Sequence, residues 1–310
     1  MSPSIVIVGS VNMDLMLRCP HLPLPGETVL GSDFRTLPGG KGANQAVAAA
    51  RLGASVSLID CVGGDSFGDQ AMAALRAEGI DLRHLHVARG AVTGVAMVLV
   101  DDSGENSITL ASGANAALSI ERIDAASAAI AGAALLVCQL ETPLASVQRA
   151  IAIAHAAGVP VLLNPAPAQS LPDVLLRQVT WLTPNEGEAA VLSGCGITQP
   201  ADAQDAAQAL VRRGAQSVIV TLGAQGVAWA DATGTRHQIA RPARVQDTTG
   251  AGDAFVGALA AELVQGRRLG EAIAFAQCAA AYSVERIGAQ ASMPRRKDFN
   301  FVAAPTSSLA

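Results

Sequence analysis

The sequence lacks the features that mark secreted, membrane or nucleic-acid-binding proteins. Its five cysteines are scattered without a C-x-x-C pair, which argues against a disulfide framework or a zinc site. Lysine and arginine form no nucleic-acid surface, since only 15% of residues are charged and the net charge is −5. There is no apolar run of membrane-spanning length and no secretory signal. We therefore expect a cytoplasmic protein with no nucleic-acid or membrane partner.

Apolar residues make up half of the 310 positions, and their pattern indicates the fold class. Residues 5–8 are apolar throughout and residues 56–61 form a mostly apolar, strand-like run; such runs are typical of strands covered on both faces. Alanine-rich helical stretches lie between such runs and end at glycines, as residues 43–52 do before Gly53. This alternation predicts an α/β fold with a mostly parallel central sheet flanked by helices.

Two segments interrupt the alternation, at about residues 13–37 and 93–110. The first is rich in proline and shows no helical period, and the second has strand-like runs around Asp101-Asp102-Ser103-Gly104. We expect both to form a small β-sheet that closes over the main sheet as a lid, although an ordinary surface hairpin has the same pattern. The expected organisation is one domain over residues 1–302 and a frayed tail over residues 303–310.

The most informative motif is Asp247-Thr248-Thr249-Gly250-Ala251-Gly252-Asp253, which leads into an apolar helical run. The first backbone N–H groups of a helix have no intrahelical partners, so they attract anions. The residues Gly250, Ala251 and Gly252 leave room for an anion, and Asp253 adds a carboxylate beside it. This combination suits phosphoryl transfer to a hydroxyl. A simple helix start with an acidic first turn is the structural alternative.

Other polar residues follow predicted strands or open predicted helices. Asn12 and Asp14 come after the first strand, where parallel sheets bind ligands, and they could pair with vicinal hydroxyls. The loop Gly39-Gly40-Lys41-Gly42-Ala43-Asn44-Gln45 lacks the Walker pattern and suits a polyhydroxy compound. Glu141 is equally compatible with a strand-end charge and a hydroxyl acceptor. The prolines of Asn164-Pro165-Ala166-Pro167 indicate a scaffold role.

Two later motifs leave alternatives open. Asn185 and Glu188 share one face of a helix start, so they could serve Mg²⁺ or form a capping box, which the spacing alone favours. Thr221-Leu222-Gly223-Ala224-Gln225-Gly226 places a glycine turn between two strands. Such a turn can admit a nucleotide phosphate or simply reverse the chain.

In this order along the chain, the motifs resemble those of the ribokinase family over about residues 4–298. The late Gly288-Ala289-Gln290-Ala291-Ser292 adds to the resemblance. The resemblance implies an enzyme that transfers the γ-phosphoryl group of ATP to the 5-hydroxyl of D-ribose, giving ribose 5-phosphate. It also implies Mg²⁺ and K⁺ as cofactors and a homodimer formed through the lids.

The resemblance further implies roles for single residues. Asp253 matches the catalytic base, and the anion hole matches Gly250, Ala251 and Gly252. The sugar-binding positions match Asn12, Asp14, Gly39, Gly40, Lys41, Asn44, Glu141 and Asp253. The nucleotide-binding positions match Asn185, Thr221, Gly223, Ala224, Gln225, Gly226, Gly252 and Gln277, where Gln277 replaces an expected His or Asn. The metal positions match Asp247, Thr249, Ser283, Arg286, Gly288 and Ser292 for K⁺, and Glu188 for Mg²⁺ through water.

Three alternatives to a ribose kinase are considered. The nearest is a sibling kinase for deoxyribose, a nucleoside or another small sugar. Asn12, Asp14 and Asn44 crowd the site with hydroxyl partners, which favours a fully hydroxylated pentose. The second is an inactive sugar-binding regulator, which would have no use for the base Asp253. The third, a Rossmann dehydrogenase, is disfavoured because no G-x-G-x-x-G follows the first strand.

Overall fold

The structure, a computed structural model, describes residues 4–103 and 105–298. The strands in these ranges are β1 (Ser4–Val8), β2 (Asn12–Arg18), β3 (Ser32–Gly39), β4 (Ser55–Gly63), β5 (Asp81–Ala88), β6 (Gly94–Val100), β7 (Asn106–Ala111), β8 (Leu135–Cys138), β9 (Val161–Leu163), β10 (Trp181–Leu182), β11 (Ser217–Thr221), β12 (Val227–Asp231) and β13 (Gly234–Gln238). The predicted tail at 303–310 and the predicted domain end at 302 lie outside the described residues.

Helices connect most of these strands. The α-helices are α1 (Lys41–Arg51), α2 (Ser66–Ala77), α3 (Ile120–Ala125), α4 (Ser127–Ala131), α5 (Leu144–Ala156), α6 (Asp173–Leu176), α7 (Glu186–Ser193), α8 (Pro200–Arg212), α9 (Ala251–Leu263), α10 (Leu269–Val284) and α11 (Ala289–Ser292). Short 3-10 helices cover Gly113–Ala117, Gly223–Gln225 and Arg296–Asp298. None of the helices over residues 4–103 and 105–298 is long and apolar enough to cross a lipid bilayer.

The larger sheet has the strand order β13-β12-β11-β10-β9-β8-β1-β4-β5 within the described chain. In this order, all neighbouring strands between β5 at one edge and β11 pair in parallel. Strands β12 and β13 continue the sheet beyond β11 with antiparallel pairing. Along β1, Ile5 and Ile7 face one buried core while Val6 and Val8 face the other. This alternation explains why the strand is apolar throughout, since helices cover both faces. The predicted α/β fold class is confirmed.

The second sheet has the order β3-β2-β6-β7, and it is built from the two segments that interrupt the alternation. Strand β2 pairs in parallel with β6, whereas β3 and β7 pair antiparallel with their neighbours. A small cluster of Met16, Ala96 and Val98 is buried on one face of this sheet. The small sheet of the fold prediction is therefore present. Its closure as a lid and the assignment of one domain stay predictions.

Close packing of α1 against α9 brings distant parts of the chain together. A Cβ atom on Gly257 of α9 would lie 2.5 Å from the Cβ of Ala48 in α1, so glycine permits this approach. Gly250 precedes α9 with φ +76°, in the left-handed region that glycine adopts without strain. A Cβ there would lie 3.0 Å from the Cα of Ala289. The start of α9 is thus packed against α11 and held beside the start of α1.

Candidate active site

The carboxylate of Asp253 lies at the centre of the site, in the first turn of α9, and the residue is only 7% exposed. Its Oδ2 accepts a hydrogen bond from Asn44 Nδ2 at 2.9 Å. Its Oδ1 accepts one from Gln45 Nε2, also at 2.9 Å. Because Asn44 and Gln45 are consecutive in the first turns of α1, one helix start holds the acid at the start of the other. The two amide donors therefore fix the orientation of the carboxylate.

Several charges surround this carboxylate. Burial lowers the pKa of Lys41, but four carboxylates outweigh burial and raise its pKa above the ordinary value. These carboxylates belong to Asp253, Glu141, Glu188 and Asp14. Burial raises the pKa of Asp14 to about 7, with Glu141 and Asp253 adding to the rise and Lys41 opposing it. The site is therefore an acidic cluster around one buried ammonium group.

The predicted sugar-binding residues meet at the junction of the two sheets. Asn12 pairs with Gly39 across β2 and β3, and Asn12 Oδ1 accepts a hydrogen bond from Asn115 Nδ2 at 2.7 Å. Gly40 caps the start of α1, next to Lys41. Glu141 Oε2 accepts a hydrogen bond from the Lys41 backbone N at 3.3 Å, which places it at the same helix start. Amide and carboxylate groups therefore converge where a polyhydroxy ligand would find partners.

Two adjoining cavities open beside Asp253. The inner one, of about 220 Å³, is lined by polar residues that include Lys41, Glu188 and Asp253. The outer one, of about 520 Å³, has a mostly apolar lining. Both contain the same three residues at their walls, Thr221, Thr248 and Gly252. They therefore form one cleft with a polar inner end and an apolar outer end.

The predicted nucleotide-binding residues are divided between these cavities. The outer cavity is lined by Thr221, Gly223, Ala224, Gly226, Gly252 and Gln277, and the inner one by Asn185. Gln225 is not among the lining residues of either cavity, and its carbonyl O contacts His237 Nε2 at 2.7 Å. Gln277 Nε2 donates weakly to the carbonyls of Gln238 and Ile239, at 3.4 and 3.3 Å. The glycine turn thus both reverses the chain and borders the cleft.

Asn185 and Glu188 form the capping box that their spacing predicts. Glu188 N donates to Asn185 Oδ1 at 2.8 Å, and Asn185 N donates to Glu188 Oε2 at 2.9 Å. Both residues also line the inner cavity, so the capping role and a role in binding are compatible. Burial raises the pKa of Glu188, while its hydrogen bond from Asn185 and the charge of Lys41 oppose the rise.

The loop before α9 is tied to the loop before α11 by Asp247. Asp247 Oδ1 accepts a hydrogen bond from Thr249 N at 2.9 Å, and Oδ2 accepts one from Gly288 N at 2.8 Å. The predicted monovalent-cation residues on both loops are therefore brought together. The amide of Ala251, one of the predicted anion-hole residues, donates to the carbonyl of Thr248 at 3.2 Å within this turn.

The remaining predicted cation-site residues lie at the ends of α10 and α11. Ser283 and Ser292 are buried, and each hydroxyl donates to a backbone carbonyl three residues earlier. Their oxygen lone pairs stay available to a cation. The Arg286 guanidinium donates to the Tyr282 carbonyl at 2.7 Å and lies 3.4 Å from the centroid of the Tyr282 ring. A carboxylate, hydroxyl oxygens and loop carbonyls are donors that suit a hard cation.

Four polar residues reach this site without having been predicted to do so. Gln45 contacts Asp253 directly, and Ser10 Oγ donates to Glu141 Oε2 at 2.5 Å. Asn115 holds Asn12, although nothing in its local sequence signals this. Asn164, which the flanking prolines suggest is scaffold, lines the inner cavity and accepts a hydrogen bond from Gln45. Of these four residues, only Gln45 had a signal in the sequence that could have indicated its role, because it lies in the glycine-rich loop.

Known proteins with the same architecture identify the class. Residues 2–296 match the sequence profile of the pfkB family carbohydrate kinases. The chain is 44% identical to the ribokinase of Haemophilus influenzae over 300 residues, covering 96% of this chain and 97% of that protein. It is 37% identical to the deoxyribokinase of Salmonella typhi over 297 residues, covering 96% and 97%. The structure of Arabidopsis thaliana ribokinase complexed with ribose and ATP matches it with a TM-score of 0.88 at 33% identity, covering 96% and 97%.

The fold and the acidic cleft are therefore those of a sugar kinase, a phosphotransferase. The chain belongs to the pfkB family of carbohydrate kinases, and the resemblance seen in the ordered motifs is confirmed.

Proposed function

We propose that this protein transfers the γ-phosphoryl group of ATP to the primary 5-hydroxyl of D-ribose, giving ribose 5-phosphate. The observation that carries the proposal is the position of Asp253. It lies at the inner end of the cleft, at a helix start, and is held by two amide donors. A ribokinase relative at 44% identity supports the choice of sugar.

In the proposed mechanism, Asp253 orients the primary hydroxyl of the sugar and takes its proton late. A carboxylate is a weak base for an alcohol, but a loose transition state needs little early deprotonation, so position matters more than basicity. The amide of Gly252 in the first turn of α9 would face the charge on the transferring group. Lys41, which also lines the inner cavity, adds a positive charge on the same side.

The rest of the cleft fits the other substrate groups. Asn12 and Asp14 offer amide and carboxylate partners to the ring hydroxyls of ribose. The apolar outer cavity, bordered by the turn at Gly223–Gln225, suits the adenine and ribose of ATP. A preference for ribose over deoxyribose would arise because donors and acceptors of the protein are left unpaired when the sugar lacks its 2-hydroxyl.

Two metal ions complete the proposal. Glu188 would hold Mg²⁺ through water at the inner cavity, and Asp247 with its neighbouring loops would hold K⁺. When bound, Mg²⁺ neutralises phosphate charge, and K⁺ fixes the shape of the anion-binding loop.

We also propose a cytoplasmic enzyme, because all five cysteines are free. Assembly into a homodimer through the small sheets is part of the same proposal.

The test is a coupled assay of ADP release with ATP and each of D-ribose, 2-deoxyribose, fructose and adenosine, run with and without K⁺. We expect the highest kcat/KM with ribose, and stimulation by K⁺. Mass spectrometry of the product should show one added phosphoryl group on the sugar.

Other outcomes would point to the alternatives. A higher kcat/KM with 2-deoxyribose or adenosine would make the protein a sibling kinase, as the deoxyribokinase relative at 37% identity allows. Ribose binding by calorimetry without any turnover would make it a sugar-binding regulator.

A further inference from the structure

We infer that Gln45 is a positioning residue that fixes the rotation of the Asp253 carboxylate, and that Gln139 in turn fixes the direction of the Gln45 amide. This inference rests on the proposed role of Asp253 in phosphoryl transfer. It adds two buried glutamines, neither of which lines the cleft beside Asp253, to the residues that determine the rate.

The hydrogen bonds of Gln45 form a continuous buried chain. Its Nε2 donates to Asp253 Oδ1 at 2.9 Å and to Asn164 Oδ1 at 3.1 Å. Its Oε1 accepts from Gln139 Nε2 at 2.5 Å. Asn164 continues the chain by donating to the Thr183 carbonyl at 2.9 Å. Gln45 and Gln139 both have 0% exposure, so water does not compete for these groups.

The direction of each amide follows from chemistry. An ionised carboxylate only accepts hydrogen bonds, so the Gln45 atom that faces Asp253 must be the nitrogen. The oxygen of Gln45 then faces Gln139, which must present its own nitrogen. Turning the Gln45 amide round would replace three attractive contacts with repulsive ones. The charge on Asp253 and the direction of both amides therefore support one another.

The same chain constrains the rotation of Asp253. Asn44 holds one carboxylate oxygen and Gln45 holds the other, so the carboxylate plane is fixed at both ends. Asn44 lies among the predicted sugar contacts and would be disturbed by ligand, whereas Gln45 is saturated by protein partners. Gln45 is thus the donor that stays in place while substrate binds and leaves.

Other charged groups also act on Asp253, and the test has to separate them from Gln45. Lys41 of α1 attracts it, while Asp14 of β2 and Glu188 of α7 repel it. None of these side chains changes when Gln45 is replaced by leucine, which has a similar size and no polar atom. A fall in kcat with little change in KM in that variant therefore reports the lost amide donor.

The experiment compares kcat and KM for ribose at one fixed pH near neutrality in wild type, Gln45→Leu, Gln139→Leu and a matched control, Ser146→Ala. A hydrogen bond to a charged group contributes enough that Gln45→Leu should lower kcat roughly 10- to 100-fold. The KM for ribose should change less than kcat. Gln139→Leu should lower kcat by less, because it removes only the donor to Gln45.

The control deletes a buried hydrogen bond remote from the cleft, from Ser146 Oγ to the Leu118 carbonyl at 2.6 Å. It should lower thermal stability without lowering kcat. An active wild type whose kcat is retained within about twofold in both glutamine variants would overturn the inference alone. A wild type that phosphorylates no sugar would instead overturn the proposed function. If Gln45→Leu does not fold, Gln139→Leu decides the question by the same comparison of kcat with KM.

Discussion

Among single residues, Asp253 is the one whose chemistry the proposed transfer depends on most. Asp253→Asn keeps the shape of the side chain but cannot take a proton, and its amide nitrogen would face the donor groups of Asn44 or Gln45. We expect kcat to fall roughly 10³-fold or more, while ribose affinity changes little. Steady-state kinetics and ribose calorimetry measure the two quantities. A variant whose kcat stays within about tenfold of the wild-type value would show that Asp253 is not the base. Asp205→Asn, on the exposed side of α8, is the control.

Asp14 gives the stability of the protein a pH dependence whose sign follows from its raised pKa. Its pKa rises from 3.8 to about 7 on folding, chiefly through burial, so the folded state binds its proton more tightly than the unfolded state. Stability from this group is therefore full below pH 3.8, falls as pH rises towards 7 and stays reduced above it.

Replacing Asp14 by asparagine removes the buried charge, so it should stabilise the protein more at alkaline than at acid pH. The gain in Tm of Asp14→Asn over wild type should be larger at pH 8 than at pH 5, by about 5 °C. Thermal unfolding without ligand at the two pH values measures it. Equal gains at both pH values would show that Asp14 is not the titrating group. Asp205→Asn, which is exposed, should show no such difference.

At the scale of elements, Asp247 links the loop before α9 to the loop before α11. Asp247→Asn retains one oxygen acceptor but loses the charge and the second acceptor, so one of its two bonds to Thr249 and Gly288 is lost. If this carboxylate anchors K⁺, the variant should lose most of the stimulation by K⁺, about tenfold at saturating salt. Activity titrated with KCl against choline chloride measures this. Stimulation equal to that of wild type would place the cation elsewhere.

The elements themselves were largely predictable from the sequence. Residues 5–8 are apolar throughout and residues 56–61 are mostly apolar, and they form most of strands β1 and β4. Helix ends were less precise: the helical stretch predicted at residues 43–52 begins at Lys41, because Gly42 in the first turn has a low helix propensity and hides the start. The alternative of a capping box at Asn185 and Glu188 was also correct, since that motif depends only on local spacing.

At the scale of the whole molecule, prediction failed where a contact joins segments far apart in the chain. Gln45 and Asp253 are 208 positions apart, and Asn12 and Asn115 are 103 apart. No periodicity or spacing records such pairs, because they depend on how α1 packs on α9 and how the two sheets meet. The site could be predicted as a set of motifs, whereas the amide chain that holds Asp253 required the folded structure.

The small sheet carries the prediction that concerns assembly. Each residue of its edge strand β7 is exposed, and Ile108 and Leu110 are exposed by 55% and 37%. Through the pairing of β7 with β6 and β2, these two side chains lie on the same face as Asp14 and Met16. An exposed edge strand with an apolar face is what a second copy of the sheet could cover.

If the protein is a homodimer through these sheets, Ile108→Glu should place a charge in the apolar interface and shift the protein to monomer. The matched control is Ser107→Glu, which adds the same charge to the opposite face of the same strand. Sedimentation velocity at about 1 and 50 times the dissociation constant of wild type measures the shift, since burying an unpaired charge costs several kcal/mol. A wild type that is monomeric throughout, or two variants that dissociate alike, would exclude this face. Because the same face carries Asp14, the monomeric variant should also show a raised KM for ribose, which links assembly to closure of the site.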